Sequence, residues 1–177
     1  MKRVILLVML TAMVGFSAYS QSTYKSAIGL RVGSVYYDDV SASFKFFVAA
    51  PSAIELNLGF GSRGYAFDNR SGAVHFSGAY QHHFNIPVNG LRWFIGGGAV
   101  VYSAFADNDF GQFRDDYRGF GAGIFPTGGI DYKFAKIPLN LSADIRPTFM
   151  VSRPDYYDSF EPNVGVAVRY TIGQRAR

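Results

Sequence analysis

From Tyr24 onward, apolar residues recur at every second position in eight separate segments of the chain. In the third segment, for example, Ile54, Leu56 and Leu58 alternate with Glu55 and Asn57. Successive side chains of a β-strand point to opposite faces, so this period of two predicts strands and not helices. Each run reaches the roughly 9 to 11 residues that a tilted strand needs to cross a bilayer.

The predicted connections between these strands alternate in length. Connections after even-numbered strands are short and contain proline, at residues 50–53, 85–90 and 135–138. Those after odd-numbered strands are polar and, apart from the first, longer, at residues 37–41, 62–72, 104–118 and 152–161. Short turns at one end and long loops at the other are typical of bacterial membrane barrels. The sequence therefore predicts an all-β fold, an eight-stranded antiparallel up-and-down transmembrane β-barrel.

Nine of the thirteen acidic residues fall in the connections predicted to face outward. They are Asp38, Asp39, Asp68, Asp107, Asp109, Asp115, Asp116, Asp155 and Asp158. The apolar strand face, on which we also place Tyr24 and Tyr36, is expected to contact lipid. A soluble lipocalin-like ligand-binding barrel is the alternative, and it would turn that face inward.

The second strand face decides between these alternatives, because it consists of Gly, Ala and a few charged residues. A soluble surface of that composition would be poorly solvated. As the lining of a narrow barrel, the same residues would fill the space, and their charges would have to be paired. We therefore expect a packed interior without an open pore, crossed by an ion network of Arg31, Glu55, Asp131, Lys133, Asp144, Arg146 and Arg169. The fifth strand is ambiguous, since Trp93 and Ile95 on one face oppose Phe94 and Tyr102 on the other.

The first twenty residues have the pattern of a secretory signal peptide. Lys2 and Arg3 precede an apolar run over residues 4–14, and small side chains at Ala18 and Ser20 suit cleavage before Gln21. We predict a signal peptide at residues 1–20 and a barrel domain at 21–177, located in the outer membrane. The chain has no cysteine, so disulfides cannot stabilise it.

The charge and the apolar content of the chain restrict the kinds of partner that it can bind. Loss of Lys2 and Arg3 lowers the formal net charge from +4 to +2, which is too small and too dispersed for nucleic-acid binding. The high apolar content, 49% of residues, is instead explained by an outer face in contact with outer-membrane lipid.

The stretch 137–147, IPLNLSADIRP, resembles a turn-into-strand segment of small outer-membrane β-barrel proteins of the OmpA/OmpX-like kind, and residues 86–89 give a weaker echo. The last strand also resembles the assembly signal of such proteins, at Asn163, Gly165, Val168 and Tyr170. The tail 173–177 departs from relatives that end on the aromatic residue. The resemblance implies the barrel fold, an outer-membrane location and recognition by the outer-membrane assembly machinery, but no single activity.

One pair of residues raises the possibility of an enzyme. His75 and Ser77 are similar to the His-x-Ser pair of lipid A deacylase barrels, in which imidazole activates a hydroxyl nucleophile. Here Gly78 follows where those enzymes carry Asn, and the strand phase points both side chains inward, away from lipid. A lipid A-modifying enzyme is thus an alternative, and we expect a non-enzymatic structural or surface-interaction role.

Two further groups could be mistaken for metal sites. His82 and His83 are neighbours in a strand, so their side chains point to opposite faces and cannot share an ion. The acids at 107–116 lack the spacing of a helix-flanked calcium loop and are expected to be solvated. No cofactor is therefore predicted. Loop aromatics could form a surface for an extracellular partner or extend an aromatic girdle: Tyr65, Phe67, Phe110, Phe113, Tyr117, Tyr156, Tyr157 and Phe160.

Overall fold

A computed structural model describes residues 24–62, 71–106, 118–154 and 158–174. The described residues form eight β-strands: β1 (Tyr24–Val35), β2 (Asp38–Ala49), β3 (Ser52–Ser62), β4 (Ser71–Asn85), β5 (Leu91–Ala106), β6 (Gly119–Lys133), β7 (Leu139–Ser152) and β8 (Phe160–Gln174). The predicted signal peptide, the acids at 107–116 and every loop aromatic named above except Phe160 lie outside the described residues.

The eight strands form one closed barrel in sequence order, each antiparallel to its neighbours. Closure is made by β1, which pairs with β2 on one side and with β8 on the other. Gly29, for example, lies opposite Ser43 of β2 and Arg169 of β8. The predicted eight-stranded up-and-down barrel is confirmed. No helix long and apolar enough to cross a membrane occurs in the described residues.

The two ends of the barrel differ in their connections. The end that carries Tyr24 and the short connections 50–51, 86–90 and 134–138 is called the turn end here. The opposite end, with the longer connections after β3, β5 and β7, is called the loop end. The first connection is shorter than predicted. It consists of Tyr36 and Tyr37 alone, because β2 already begins at Asp38. The assignment of Asp38 and Asp39 to an outer loop was therefore wrong.

Exposure alternates along the strands, and most of the charged strand residues lie inside. Leu30 and Val32 are 60% and 55% exposed, whereas Arg31 between them is fully buried. In β5 the ambiguity is resolved, since Trp93 and Ile95 point outward. In the loop-end half of the interior, Val35, Tyr37, Tyr102 and Phe125 belong to one buried apolar cluster.

Two predicted outward positions are wrong. Tyr24, the first residue of β1, is 2% exposed, since its ring folds across the turn-end mouth and lies 5.2 Å from the ring of Phe47. Tyr36 is half-buried and packs on the loop-end apolar cluster. Tyr36 departs from the strict alternation of inward and outward residues because the β1–β2 register shifts between Val32 and Val35. Both errors occur where a strand ends.

Candidate functional site

Among the described residues, nine Arg, Lys, Asp and Glu side chains are buried inside the barrel, which makes its interior the chemically distinctive region of the molecule. Five are cationic and four are carboxylates: Arg31, Lys45, Arg92, Arg146 and Arg169, with Asp38, Glu55, Asp131 and Asp144. They come from seven of the eight strands, all except β4. The alternation of each strand places them inside, and closure of the sheet brings them together.

Toward the loop end, two arginines and two carboxylates form a continuous chain, called here the loop-end cluster. Arg31 donates to Asp38 through Nη1 and to Asp144 through Nη2, the latter at 2.8 Å. Asp144 also accepts a 2.7 Å bond from Nε of Arg146. Every charge in this cluster therefore has an opposite charge within hydrogen-bond distance.

Glu55 occupies the middle of the interior and collects contacts from several strands. Its Oε1 lies 2.6 Å from Nη2 of Arg146, and its Oε2 lies 3.0 Å from Nη2 of Arg169 and 3.4 Å from Nζ of Lys45. Gln81 donates a further 3.0 Å bond to Oε2. The carboxylate is thus paired and hydrogen-bonded, as a buried charge requires.

Toward the turn end, Asp131 accepts from two cations, and this group is called here the turn-end cluster. Oδ2 of Asp131 lies 3.0 Å from Nζ of Lys45, and Oδ1 lies 3.1 Å from Nη2 of Arg92. The hydroxyl of Tyr24 donates to Oδ2 at 3.1 Å, and the amide of Asn140 donates to Oδ1 at 2.8 Å.

Aromatic rings complete the surroundings of these turn-end cations. The guanidinium of Arg92 lies 4.9 Å from the ring centroid of Phe47, and Nζ of Lys45 lies 4.9 Å from that of Phe94. Such cation–π contacts stabilise a positive charge that water cannot reach.

The structure brings together six of the seven residues predicted to form an interior network, and Lys133 is the exception. It is the last residue of β6, and its Nζ donates to the carbonyls of Phe134 and Ile137 at 2.5 and 2.9 Å. A lysine at the mouth of the barrel can reach the carbonyls of the adjacent turn, so it needs no buried carboxylate. Its inclusion in the network was wrong.

Three interior charges were absent from the predicted network. Lys45 lies on the inward face of β2. The sequence already indicates this direction, because the apolar residues on either side of Lys45 belong to the outer face. Arg92 lies in β5, whose phase the sequence left ambiguous. Asp38 was assigned to a loop. Because β2 begins directly after Tyr37, Asp38 instead lies in a strand, where its carboxylate accepts from Arg31.

Three tyrosines close the interior near the loop end. The rings of Tyr37 and Tyr102 stack with centroids 5.1 Å apart and planes 9° apart, and the hydroxyls of Tyr36 and Tyr102 lie 2.6 Å apart. Tyr37 donates to Oγ1 of Thr148 at 3.2 Å. Burial raises the pKa of Tyr37 above its ordinary value.

His75 and Ser77 lie inside the barrel, on the face that the sequence predicts. Nε2 of His75 is 3.4 Å from Oδ1 of Asp38, and Oγ of Ser77 accepts from Asn57 at 3.3 Å. Both side chains are buried and point away from the outer face. This placement removes the access to lipid that a deacylase of this kind would need.

The two neighbouring histidines point to opposite faces. His82 packs its ring against Phe84 outside, with centroids 4.9 Å apart. His83 is buried inside, with Nε2 3.7 Å from Oδ2 of Asp131. Within the described part of the chain, no group of three or more potential ligands is placed to hold a metal ion.

The four residues of the resembled assembly signal divide between the two faces of β8. Val168 and Tyr170 are exposed outside, whereas Asn163 and Gly165 are inside. Asn163 donates to Asp38 at 2.9 Å, and a Cβ at Gly165 would collide with the guanidinium of Arg31. Contacts inside the barrel therefore explain Asn163 and Gly165 without any role in assembly. Recognition by the assembly machinery stays a prediction.

Comparison with known proteins gives a likeness in structure at low sequence identity. No protein-family model and no curated protein matches the chain. The crystal structure of the N-terminal β-barrel domain of Pseudomonas aeruginosa OprF superposes with a TM-score of 0.64 at 16% identity, covering 86% of this chain and 100% of that chain. Neisserial surface protein A (NspA) gives a TM-score of 0.49 at 12% identity, covering 83% and 94% respectively. At the level of the fold, the likeness to OprF agrees with the expected resemblance to small outer-membrane barrels.

Proposed function

We propose that this protein is an outer-membrane barrel with a structural or surface-interaction role, in which lipid surrounds the outer face and the loop end faces outward. The observation that carries the proposal is the inverted distribution of polarity: charged groups fill the interior while apolar residues cover the exterior. A water-soluble barrel would need the opposite arrangement, since exposed apolar area on this scale drives association.

Exposed aromatic residues support the proposal by their position. Near the turn end they include Phe84, Trp93 and Tyr170, and near the loop end Phe60, Phe105, Phe120 and Phe160. Aromatic residues at both margins of an apolar zone are typical of membrane interfaces.

The filled interior favours a rigid platform over a pore. Ion pairs cross the middle of the barrel, and Tyr36, Tyr37 and Tyr102 pack together above them near the loop end. An eight-stranded barrel is just wide enough for side chains to fill it. The proposed role therefore lies at the outer face or in the connections at the loop end, and it is non-enzymatic.

Purified membranes provide the test. A folded membrane barrel is expected to enter the outer-membrane fraction and to migrate differently in gels when boiled and unboiled. A chain found soluble in the periplasm, or migrating identically in both cases, would contradict the proposal.

A pair of charged substitutions tests lipid contact directly. Leu30→Arg places a charge at the middle of β1 and is expected to destabilise the folded barrel in vesicles by about 2–4 kcal/mol. Val151→Arg places the same charge near the loop end of β7, where the expected cost is about 0–1 kcal/mol. If water bathed the outer face, the two variants would be equally stable.

A further inference from the structure

The turn end of the barrel presents basic side chains to its surroundings. It comprises the three short connections and the last three residues of every strand on that side. The Lys, Arg, Asp and Glu residues found there are Lys25, Arg92, Asp131, Lys133 and Lys136. Asp131 is buried, whereas Lys25 and Lys136 are exposed and Lys133 is partly exposed. Among the described residues, the turn end therefore presents three lysines and no exposed acid.

The interior adds to the positive charge of this end. In the loop-end cluster, two arginines balance two carboxylates. Glu55 and Arg169 form a further pair, with Oε2 3.0 Å from Nη2. Lys45 and Arg92 remain, and they share the carboxylate of Asp131. With histidine counted as neutral, the buried charges thus have one surplus positive charge, which lies in the turn-end cluster.

The long connections at the loop end have the opposite sign. Residues 63–70, 107–118 and 153–159 contain seven acidic and five basic residues in the sequence. Each of these segments joins two strands at the loop end. The net charge of the chain therefore changes from positive at the turn end to negative in the loop-end connections.

The neighbours of Lys136 suit a membrane interface. Lys136 is followed by Ile137, which is 49% exposed. The rings of Tyr132 and Phe134 lie just before it with centroids 4.8 Å apart, and Trp93 of the adjacent strand β5 is 42% exposed. A lysine with apolar and aromatic neighbours is typical of the boundary between hydrocarbon and headgroups. A partner dissolved in water would leave Ile137 uncovered.

Lys133 is held next to the same connection. Its Nζ has three N–H donors, and two of them bind the carbonyls of Phe134 and Ile137. These carbonyls have no net charge, so they do not neutralise the ammonium group. The third N–H can bind an oxygen of a phosphate group, and Lys136, three residues further along the chain, can supply a second contact.

We propose that the turn end binds the headgroups of anionic phospholipids, with Lys133 and Lys136 contacting the phosphate group and Lys25 attracting further lipids on the β1 side. The proposal rests on the membrane location proposed above. A negatively charged leaflet attracts lysines at its surface and repels connections that carry an excess of acids. Headgroup binding at the turn end therefore also favours the orientation in which the long connections lie on the other side of the membrane.

The single tryptophan is a local probe of the lipid at this end. Trp93 is the third residue of β5 and pairs with Ile130, about 10 Å along β6 from Lys133. The protein is inserted in phosphatidylcholine vesicles that contain either brominated phosphatidylglycerol or brominated phosphatidylcholine at the same mole fraction. Bromine quenches tryptophan fluorescence on contact, so the two quenching curves give the relative affinity of the sites around Trp93. We expect phosphatidylglycerol to be preferred about fivefold.

Removal of charge at the turn end should abolish this preference. Lys133→Gln with Lys136→Gln keeps N–H donors for the carbonyls of the connection but removes both charges, and the preference is expected to fall to about one. Arg118→Gln with Arg153→Gln is the matched control, because it removes the same charge from exposed residues near the loop end. In this control the preference at Trp93 should stay about fivefold. Heat-shifted migration first shows that each variant has folded.

A second probe position on the same strand compares the two leaflets. Trp93→Phe with Phe105→Trp moves the tryptophan to the loop end of β5, where residue 105 is 52% exposed on the outer face. Both leaflets of the vesicle contain the same lipids, so any difference between the two probes is caused by the protein. No preference for phosphatidylglycerol is expected at position 105. An equal preference at both positions would overturn the proposal.

The same measurement separates this inference from the membrane proposal. If neither brominated lipid quenches Trp93, the outer face does not contact lipid, and the membrane proposal fails together with this inference. If both lipids quench Trp93 equally, the barrel is inserted and headgroup binding alone is overturned. Equal quenching, combined with binding of soluble polyglutamate that the two lysine substitutions abolish, would assign the turn end to an acidic polymer instead. A preference that persisted in about 0.5 M NaCl would also contradict the proposal, since salt screens exposed charges.

Discussion

The loop-end and turn-end clusters both pair buried cations with buried carboxylates, but they differ in how many partners each charge has. In the loop-end cluster, Arg31 contacts Asp38 and Asp144, and Asp144 contacts both Arg31 and Arg146. In the turn-end cluster, Asp131 serves both Lys45 and Arg92, and among the described residues it is the carboxylate within reach of Arg92. The loop-end cluster therefore has substitute partners, and the turn-end cluster depends on a single side chain.

The largest expected effect follows from this difference. Asp131→Asn removes the carboxylate partner of Arg92 and leaves Lys45 with only the 3.4 Å contact to Glu55. We expect the free energy of unfolding to fall by about 5 kcal/mol. Asp144→Asn is expected to cost less, about 3 kcal/mol, because Arg31 keeps Asp38 and Arg146 keeps Glu55.

Both values can be measured by urea unfolding of the refolded protein in detergent. The single tryptophan, Trp93, lies on the outer face and reports unfolding without belonging to either cluster. Equal losses in the two variants would show that the clusters do not differ in redundancy.

A smaller effect is expected from disturbing the central arginine of the loop-end cluster without removing any charge. The guanidinium of Arg31 lies against Gly165, and an alanine there would displace it. Gly165→Ala is expected to destabilise the barrel by about 2 kcal/mol. Gly128→Ala, which adds the same methyl group to open space, serves as the control and should be neutral or slightly stabilising. A stable Gly165→Ala variant would mean that Arg31 can find its partners from another position.

Apart from β5, whose phase it left ambiguous, the sequence predicts the inward and outward faces in the middle of each strand. The period of two fixes which residues point inward wherever a strand has neighbours on both sides, and this placed Glu55, Asp144 and Arg146 inside the barrel. Alternating connection lengths predicted the up-and-down order. These signals are local, so a single sequence carries them.

Prediction fails at strand ends and in pairing. Tyr24 and Lys133 are terminal residues of β1 and β6, where a long side chain can bend across the mouth or reach a turn. Asp38 was missed because its strand begins earlier than the polar residues around it suggest. Which residues become neighbours across two strands, such as Pro147 of β7 opposite Pro162 of β8, depends on register between strands, which the alternation within each strand does not encode.

The smallest expected effect comes from comparing a tyrosine hydroxyl at each end of the barrel. It tests whether the charge of the hydrogen-bond acceptor, and not the packing of the tyrosine ring, makes the two ends differ in stability. Tyr24 donates to the carboxylate of Asp131, whereas Tyr37 donates to the neutral hydroxyl of Thr148. A hydrogen bond to a charged group is worth more, so Tyr24→Phe is expected to cost about 1.5–2 kcal/mol and Tyr37→Phe about 1 kcal/mol. In the Asp131→Asn background the loss from Tyr24→Phe should shrink toward that of Tyr37→Phe, because its acceptor is no longer charged. A loss that stayed unchanged in that background would assign the role of Tyr24 to ring packing on Phe47 and Arg92.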